Sequence, residues 1–185
     1  MSSQRQIETR GSMLGIANAG LKEIVMGLHW DPQTERSTPV DLDALCVLFD
    51  GRGHVLEVVH PGHPRGGDDS MAHTGDSRTG ASTWDDEQIF VFLDGLPMAA
   101  AKLAFVVLSA TGQPLDQVPG ASCHVSDHGS GEEYSRVNLT TLFGDPGCIV
   151  ATLTRGATHW SIDTNVRRLD DILSADLLER VRLAK

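Results

Sequence analysis

Short apolar runs recur along the chain, separated by clusters of Gly, Pro, Asp and Asn: "LKEIVMGLHW", "LDALCVLFD", "HVLEVVH", "IFVFL", "KLAFVVLSA", "YSRVNL", "CIVATLT" and "THWSI". Runs of this length, bounded by turn residues, predict β-strands. Their number predicts an all-β protein, a β-sandwich or barrel. In "EQIFVFL", Ile89, Val91 and Leu93 alternate with Phe90 and Phe92, and "LAFVVL" has no polar face at all. Both strands are therefore expected to carry apolar cover on both sides. "FDGRGHVLEVVH" reads as a hairpin turning at Asp50 to Gly53, where residues tolerant of positive φ sit between two apolar runs, and "LTRGATHW" reads as a second hairpin. Residues 61–86 read as one long loop, and loops of that length within compact domains are commonly functional.

The last segment changes period. In "RRLDDILSADLLERVRLAK", Leu169, Ile172, Leu173 and Val181 fall at helical spacing, widened by Leu177 and Leu178. An amphipathic C-terminal helix is predicted over 164–185, packed on a sandwich domain of residues 1–163 or docking a partner. Residues 1–12 are polar and expected to be flexible.

A chain of 185 residues can bury the core of one domain without staples. Its net charge of -10 opposes contact with phosphate backbones and anionic lipid, which excludes non-specific nucleic-acid binding. Cys46, Cys123 and Cys148 are widely spaced with no CxxC, so they predict buried, reduced thiols rather than a disulfide frame or zinc ribbon. The first residues lack the apolar run of a signal peptide and no stretch is long enough to span a bilayer, which predicts a cytoplasmic protein without membrane insertion.

The charge is concentrated. Residues 31–94 hold 13 of the 25 acids against four arginines and no lysine, so nearly all the excess lies in one third of the chain. Within it, Asp41 and Asp43 share one side of an extended strand, and Asp76, Asp85, Asp86 and Glu87 precede another. Such grouping is destabilising unless a cation offsets it. Calcium, taking six to eight oxygens at about 2.3–2.6 Å, suits carboxylates on flexible loops. Asp76 and Glu87 stand at the first and twelfth positions of a 12-residue window, but Arg78, Gly80 and Ala81 occupy its third, fifth and sixth, so an EF-hand is excluded. Any calcium site must be assembled from separate loops.

Taken together, "GLHWD" (27–31), "DLDALCVLFD" (41–50), "HTGDSRTG" (73–80) and "DDEQIFVFL" (85–93) resemble the TerD family of tellurium-resistance and stress-response proteins. The likeness extends more weakly over residues 14–155. It implies a two-sheet β-sandwich binding calcium through acidic loops at one edge, in a bacterial cytoplasmic protein with no established catalytic activity. The family's acidic motif maps onto Asp41, Asp43, Asp76, Asp85, Asp86 and Glu87, with Asp31 a further candidate metal ligand. The chain departs from the family where its "GEGDG" spacer is replaced by "GASTW" and its Asn after "GD" by Ser77. Fewer or weaker calcium sites are the expected consequence, with Trp84 placed to cover the acids. The partners implied are other proteins of a stress-response complex.

Competing readings are narrower. Glu87 pairing with Arg78 is a surface alternative worth about 0–1 kcal/mol. His60 and His63, and Cys123 with His124 and His128, offer nitrogen and sulfur donors, but they read as turn and structural residues. No GxSxG, HExxH or Walker loop is present, leaving only a metal-dependent hydrolase or phosphotransfer component as an enzyme alternative. A structural interaction domain that has lost its metal is the third reading.

Overall fold

A computed structural model describes residues 20–33, 39–142, 144–171 and 173–177. The described residues form twelve strands: β1 (Glu23–His29), β2 (Leu42–Asp50), β3 (Val55–Val59), β4 (Arg65–Gly66), β5 (Met71–His73), β6 (Glu87–Phe92), β7 (Ala100–Ser109), β8 (Ser122–Asp127), β9 (Glu133–Asn138), β10 (Gly147–Arg155), β11 (Trp160–Asp163) and β12 (Arg167–Arg168). They build two antiparallel sheets. The first runs β4-β5-β6-β1-β8-β9 and the second β11-β10-β7-β2-β3, with β12 also pairing β10.

The core lies between the sheets because strand alternation sends one set of apolar residues inward from each. Ile24, Met26 and Leu28 of β1 and Ile89 and Val91 of β6 meet Leu42, Ala44, Cys46 and Leu48 of β2 and Leu103, Phe105 and Val107 of β7. The alternate residues of β2 and β7 are apolar too. Leu45, Val47, Phe49, Ala104, Val106 and Leu108 form a second cluster on the outer face of the second sheet, covered by Leu173 with Leu169 and Leu177 packed against it. The expectation of two-sided cover thus holds for "LAFVVL". It fails for β6, where Phe90 is half-buried and Phe92 is 44% exposed on the outer face of the first sheet.

Both hairpins form. Asp50 Oδ1 accepts from the backbone N–H groups of Arg52 and His54 at 2.8 Å each, closing the first turn, while Arg155 pairs with Trp160 across the second. Two segments read differently from expectation. The long loop contains β4 and β5, which extend the first sheet because Met71, fully buried, anchors this stretch beside Cys46. "SCHVSD" is strand β8, with Cys123 and Val125 facing the core and His124 outward. Opposite faces prevent Cys123 and His124 from sharing a metal ion.

The C-terminal segment also begins otherwise than its period suggests. Residues 167–168 pair with β10, a 3-10 turn follows at Leu169–Asp171, and helix is present at residues 175–177. Ile172, residues 178–185 with Leu178 and Val181, and the N-terminal residues 1–19 lie outside the described residues. Leu173 remains the seal of the outer cluster, 5% exposed. Leu173→Ala should lower unfolding free energy by about 2–4 kcal/mol in urea titration, the range for emptying a buried leucine site.

Candidate metal centre

Strand β2 begins with Leu42 buried in the inter-sheet core, and the acids on either side of it, Asp41 and Asp43, project together. The loop after β5 brings Asp76 to them. One carboxylate oxygen from each of Asp41, Asp43 and Asp76 lies within 4.8 Å of the other two. Asp43 is buried at 2% exposure, Asp41 is half-buried and Asp76 faces solvent, so the group opens outward on one side. The Oδ1 atoms of Asp41 and Asp43 are themselves sealed from water.

Arg78 answers part of this charge. Its Nε donates to Asp76 Oδ2 at 2.7 Å, so the surface pair expected with Glu87 forms with Asp76 instead. That bond and the charge of Asp76, with a smaller contribution from Asp41, make the guanidinium hold its proton more tightly than usual. The donor set is all hard oxygen, which fits a calcium-like divalent cation and not the nitrogen- and sulfur-seeking metals. One oxygen from each of three side chains fills at most half of a calcium shell of six to eight oxygens, so second carboxylate oxygens, loop carbonyls or water would complete it.

The other four expected ligands lie outside this group and have partners of their own. Glu87 is entirely buried. Its Oε2 accepts from Ala44 N–H at 2.8 Å and its Oε1 from Ser77 N–H at 3.2 Å, the residues that directly follow Asp43 and Asp76. His73, equally buried, completes the set: Gly75 N–H donates to Nδ1 at 3.0 Å, which leaves Nε2–H to donate to Glu87 Oε2 at 3.2 Å. Burial pushes the Glu87 carboxyl up, against these three donors. Glu87 therefore positions the two segments that carry the acidic group.

Asp86, with no exposed side-chain surface, ties down the spacer. It accepts from Trp30 N–H at 3.1 Å, from Ser82 N–H at 3.0 Å and from Ser77 Oγ at 3.4 Å, and His29 Nδ1 lies 2.9 Å away. Gly80 passes against the buried Trp30 ring with φ of 63°, a place where any side chain would collide with the indole. Trp84 is held through its carbonyl by His29 Nδ1 at 2.8 Å while its ring stays 83% exposed, so it stands out from the loop.

Asp85 turns to the outer face of the first sheet. His124 Nε2 lies 3.0 Å and Gln88 Nε2 2.8 Å from its Oδ2, and Ser126 Oγ lies 2.8 Å from His124 Nδ1. The Asp85–His124 pair crosses directly over Gly27 of β1, where a Cβ would collide with both. Partial burial works against the charged carboxylate, but the bonds from His124 and Gln88 together outweigh it and hold Asp85 below its usual range. Asp31 is exposed, leaning on Gly120 with His29 Nε2 3.6 Å away.

His73 opens the "HTGDSRTG" block but carries no signal of its own as a site residue, and its role appears only with Glu87 beside it. The three thiols are free and buried, Cys148 pushed up to about 12 by its surroundings, so none is poised as a nucleophile.

A two-sheet sandwich with acids gathered at one edge defines the class. The comparisons define the family: the TerD domain model matches residues 9–173, and the chain belongs to the TerD family. Among its relatives is the tellurium resistance protein TerZ of Serratia marcescens, 32% identical over 152 residues that cover 77% of this chain and 78% of the relative. General stress protein 16U of Bacillus subtilis is 31% identical over 72% of this chain and 74% of its own length. The crystal structure of a homologue of telluride resistance protein TerD from Streptomyces coelicolor superposes with a TM-score of 0.75, covering 90% of this chain and 99% of that one at 23% identity, which supports the fold. The chain thus sits among tellurium-resistance and general stress proteins, and no helix among the described residues is long and apolar enough to cross a membrane.

Two outcomes are expected. Glu87→Gln, which keeps the shape but removes the charge that three donors address, should destabilise the fold by about 1–3 kcal/mol in urea titration, as for a buried, charge-assisted hydrogen-bond set. For Asp85 the lowered folded pKa means that its contribution to stability is complete above the unfolded value near about 3.9 and lost as pH falls through the lower folded value. Acid unfolding of Asp85→Asn, followed by circular dichroism, should lack that part of the pH dependence.

Proposed function

We propose that this protein is a calcium-binding, non-enzymatic module of a bacterial stress-response or tellurite-resistance system, working through contacts with other proteins in the cytoplasm. The observation that carries this reading is the group of Asp41, Asp43 and Asp76, three carboxylates from two separate segments within 4.8 Å of one another. Bound there, a divalent cation supplies the positive charge that relieves carboxylate repulsion. Asp41 and Asp43 hold the start of β2 to the site, and Asp76 holds the loop, while Glu87 and Asp86 keep both segments in place from behind. The exposed Trp84 beside this edge is an aromatic anchor for a protein partner, the residue type that concentrates binding energy at interfaces.

The relatives named for tellurium resistance and general stress support the physiological setting. In isothermal calorimetry, calcium added to metal-free protein should release or absorb heat with a defined stoichiometry, and Asp43→Ala with Asp76→Ala should abolish it. The melting temperature should rise with calcium, by an amount matching about 2.7 kcal/mol at a hundredfold excess over the dissociation constant. A flat titration together with an unmoved melt overturns the reading, as does turnover of phosphate esters with Mg²⁺ or Mn²⁺.

A further inference from the structure

The two ends of the sandwich differ in charge. Along the ladder between β2 and β7, Leu42 pairs with Ser109 at the end that carries the acids, and Asp50 with Ala100 at the other. The β10–β11 hairpin and the start of β1 lie at that second end, since Thr154 pairs with Lys102 and Glu23 with Phe92. Between them opens a cleft of about 610 Å³, the volume usual for small-molecule sites.

Its lining inverts the character of the chain. Lys22, Arg155 and His159 line it against a single acid, Asp94, in a protein whose formal charge is -10. Leu93, fully buried, and Trp160, 5% exposed, form the apolar floor, and Met98, 89% exposed, stands at the rim. Arg155 is fixed: its Nη2 donates to the carbonyls of Leu96 and Pro97 at 3.1 Å each, and its guanidinium lies 4.9 Å above the Trp160 ring. A guanidinium held by backbone carbonyls, which carry no net charge, keeps its full positive charge for whatever enters the cleft. The thioether of Met98 and the planar guanidinium both favour the faces and edges of ring systems.

We infer that this cleft is a binding site for a small ring-bearing organic anion, its carboxylate or phosphate directed to Lys22 and Arg155 and its ring resting against Met98 at the rim, whose Sδ lies 3.8 Å from Arg155 Nη1. The site is remote from the acidic group and independent of calcium.

The test uses the full-length protein and two probes, AMP and indole-3-acetate, which present phosphate and carboxylate on a ring. Titration followed by backbone amide NMR in the presence of a calcium chelator should move the resonances of Lys22 and residues 156–159, with a dissociation constant of about 1 mM or tighter, near -4 kcal/mol. Whichever probe binds more tightly identifies the anionic group. Lys22→Glu should weaken binding at least about tenfold, and Met98→Ser severalfold, both without changing the melting temperature, because both side chains lie at the surface. Arg136→Glu, which alters net charge equally on the outer face of the first sheet, should leave binding unchanged. Failure of both probes to move these resonances overturns the proposal. So does equal weakening by Lys22→Glu and Arg136→Glu, which would reduce the effect to general electrostatic attraction.

Discussion

The acidic edge of this molecule depends on one buried carboxylate. Glu87 lies fully beneath the surface, yet it accepts hydrogen bonds from the backbone of Ala44 and Ser77 and from His73. A buried charge is tolerated only when donors surround it. Here those donors belong to β2, to the loop after β5 and to β5 itself, so satisfying Glu87 requires all three to be in place. Asp43 and Asp76 are the immediate neighbours of two of the donors. Bringing like charges together is thereby made a by-product of neutralising a different one.

Around this centre the consecutive acids divide their work. Asp85 bridges to His124 across a glycine of the central strand, Asp86 gathers the backbone of the spacer, and Glu87 joins the sheets. The spacer itself, "GASTW", is short of acids, but it is not slack. Ser82 N–H donates to Asp86 and the Trp84 carbonyl meets His29 Nδ1, which fastens it, while Ser77 just before it is bonded to Glu87. The result is a fastened loop that carries an exposed indole.

A cleft with a basic lining lies at the end of the sandwich opposite the acidic group. Strand register separates the carboxylates of the β2 start from the cationic lining near Arg155 and Lys22 by the length of the sheets. Two chemically opposite surfaces are carried on one rigid core, and neither needs the other to form.

The strands were legible in the sequence because apolar patterning acts locally: β2, β7 and β10 read as strands from their own residues, and the unbroken apolar character of β7 foretold cover on both its faces, while the same expectation failed for β6. β8 escaped because its outward His124 and Ser126 drew attention to chemistry, while β4 and β5 are too short for alternation to register. Composition and spacing likewise determined that the acids cluster and that no EF-hand holds them. Which acids converge was decided only by tertiary structure. Asp41, Asp43 and Asp76 meet because β2 and a loop of the opposite sheet are joined through Glu87, whereas Asp85, adjacent in sequence, lies before β6 begins and turns to the other face. Neighbours along a chain share a site only when the backbone sends them the same way, and that direction is set by contacts between residues far apart in sequence.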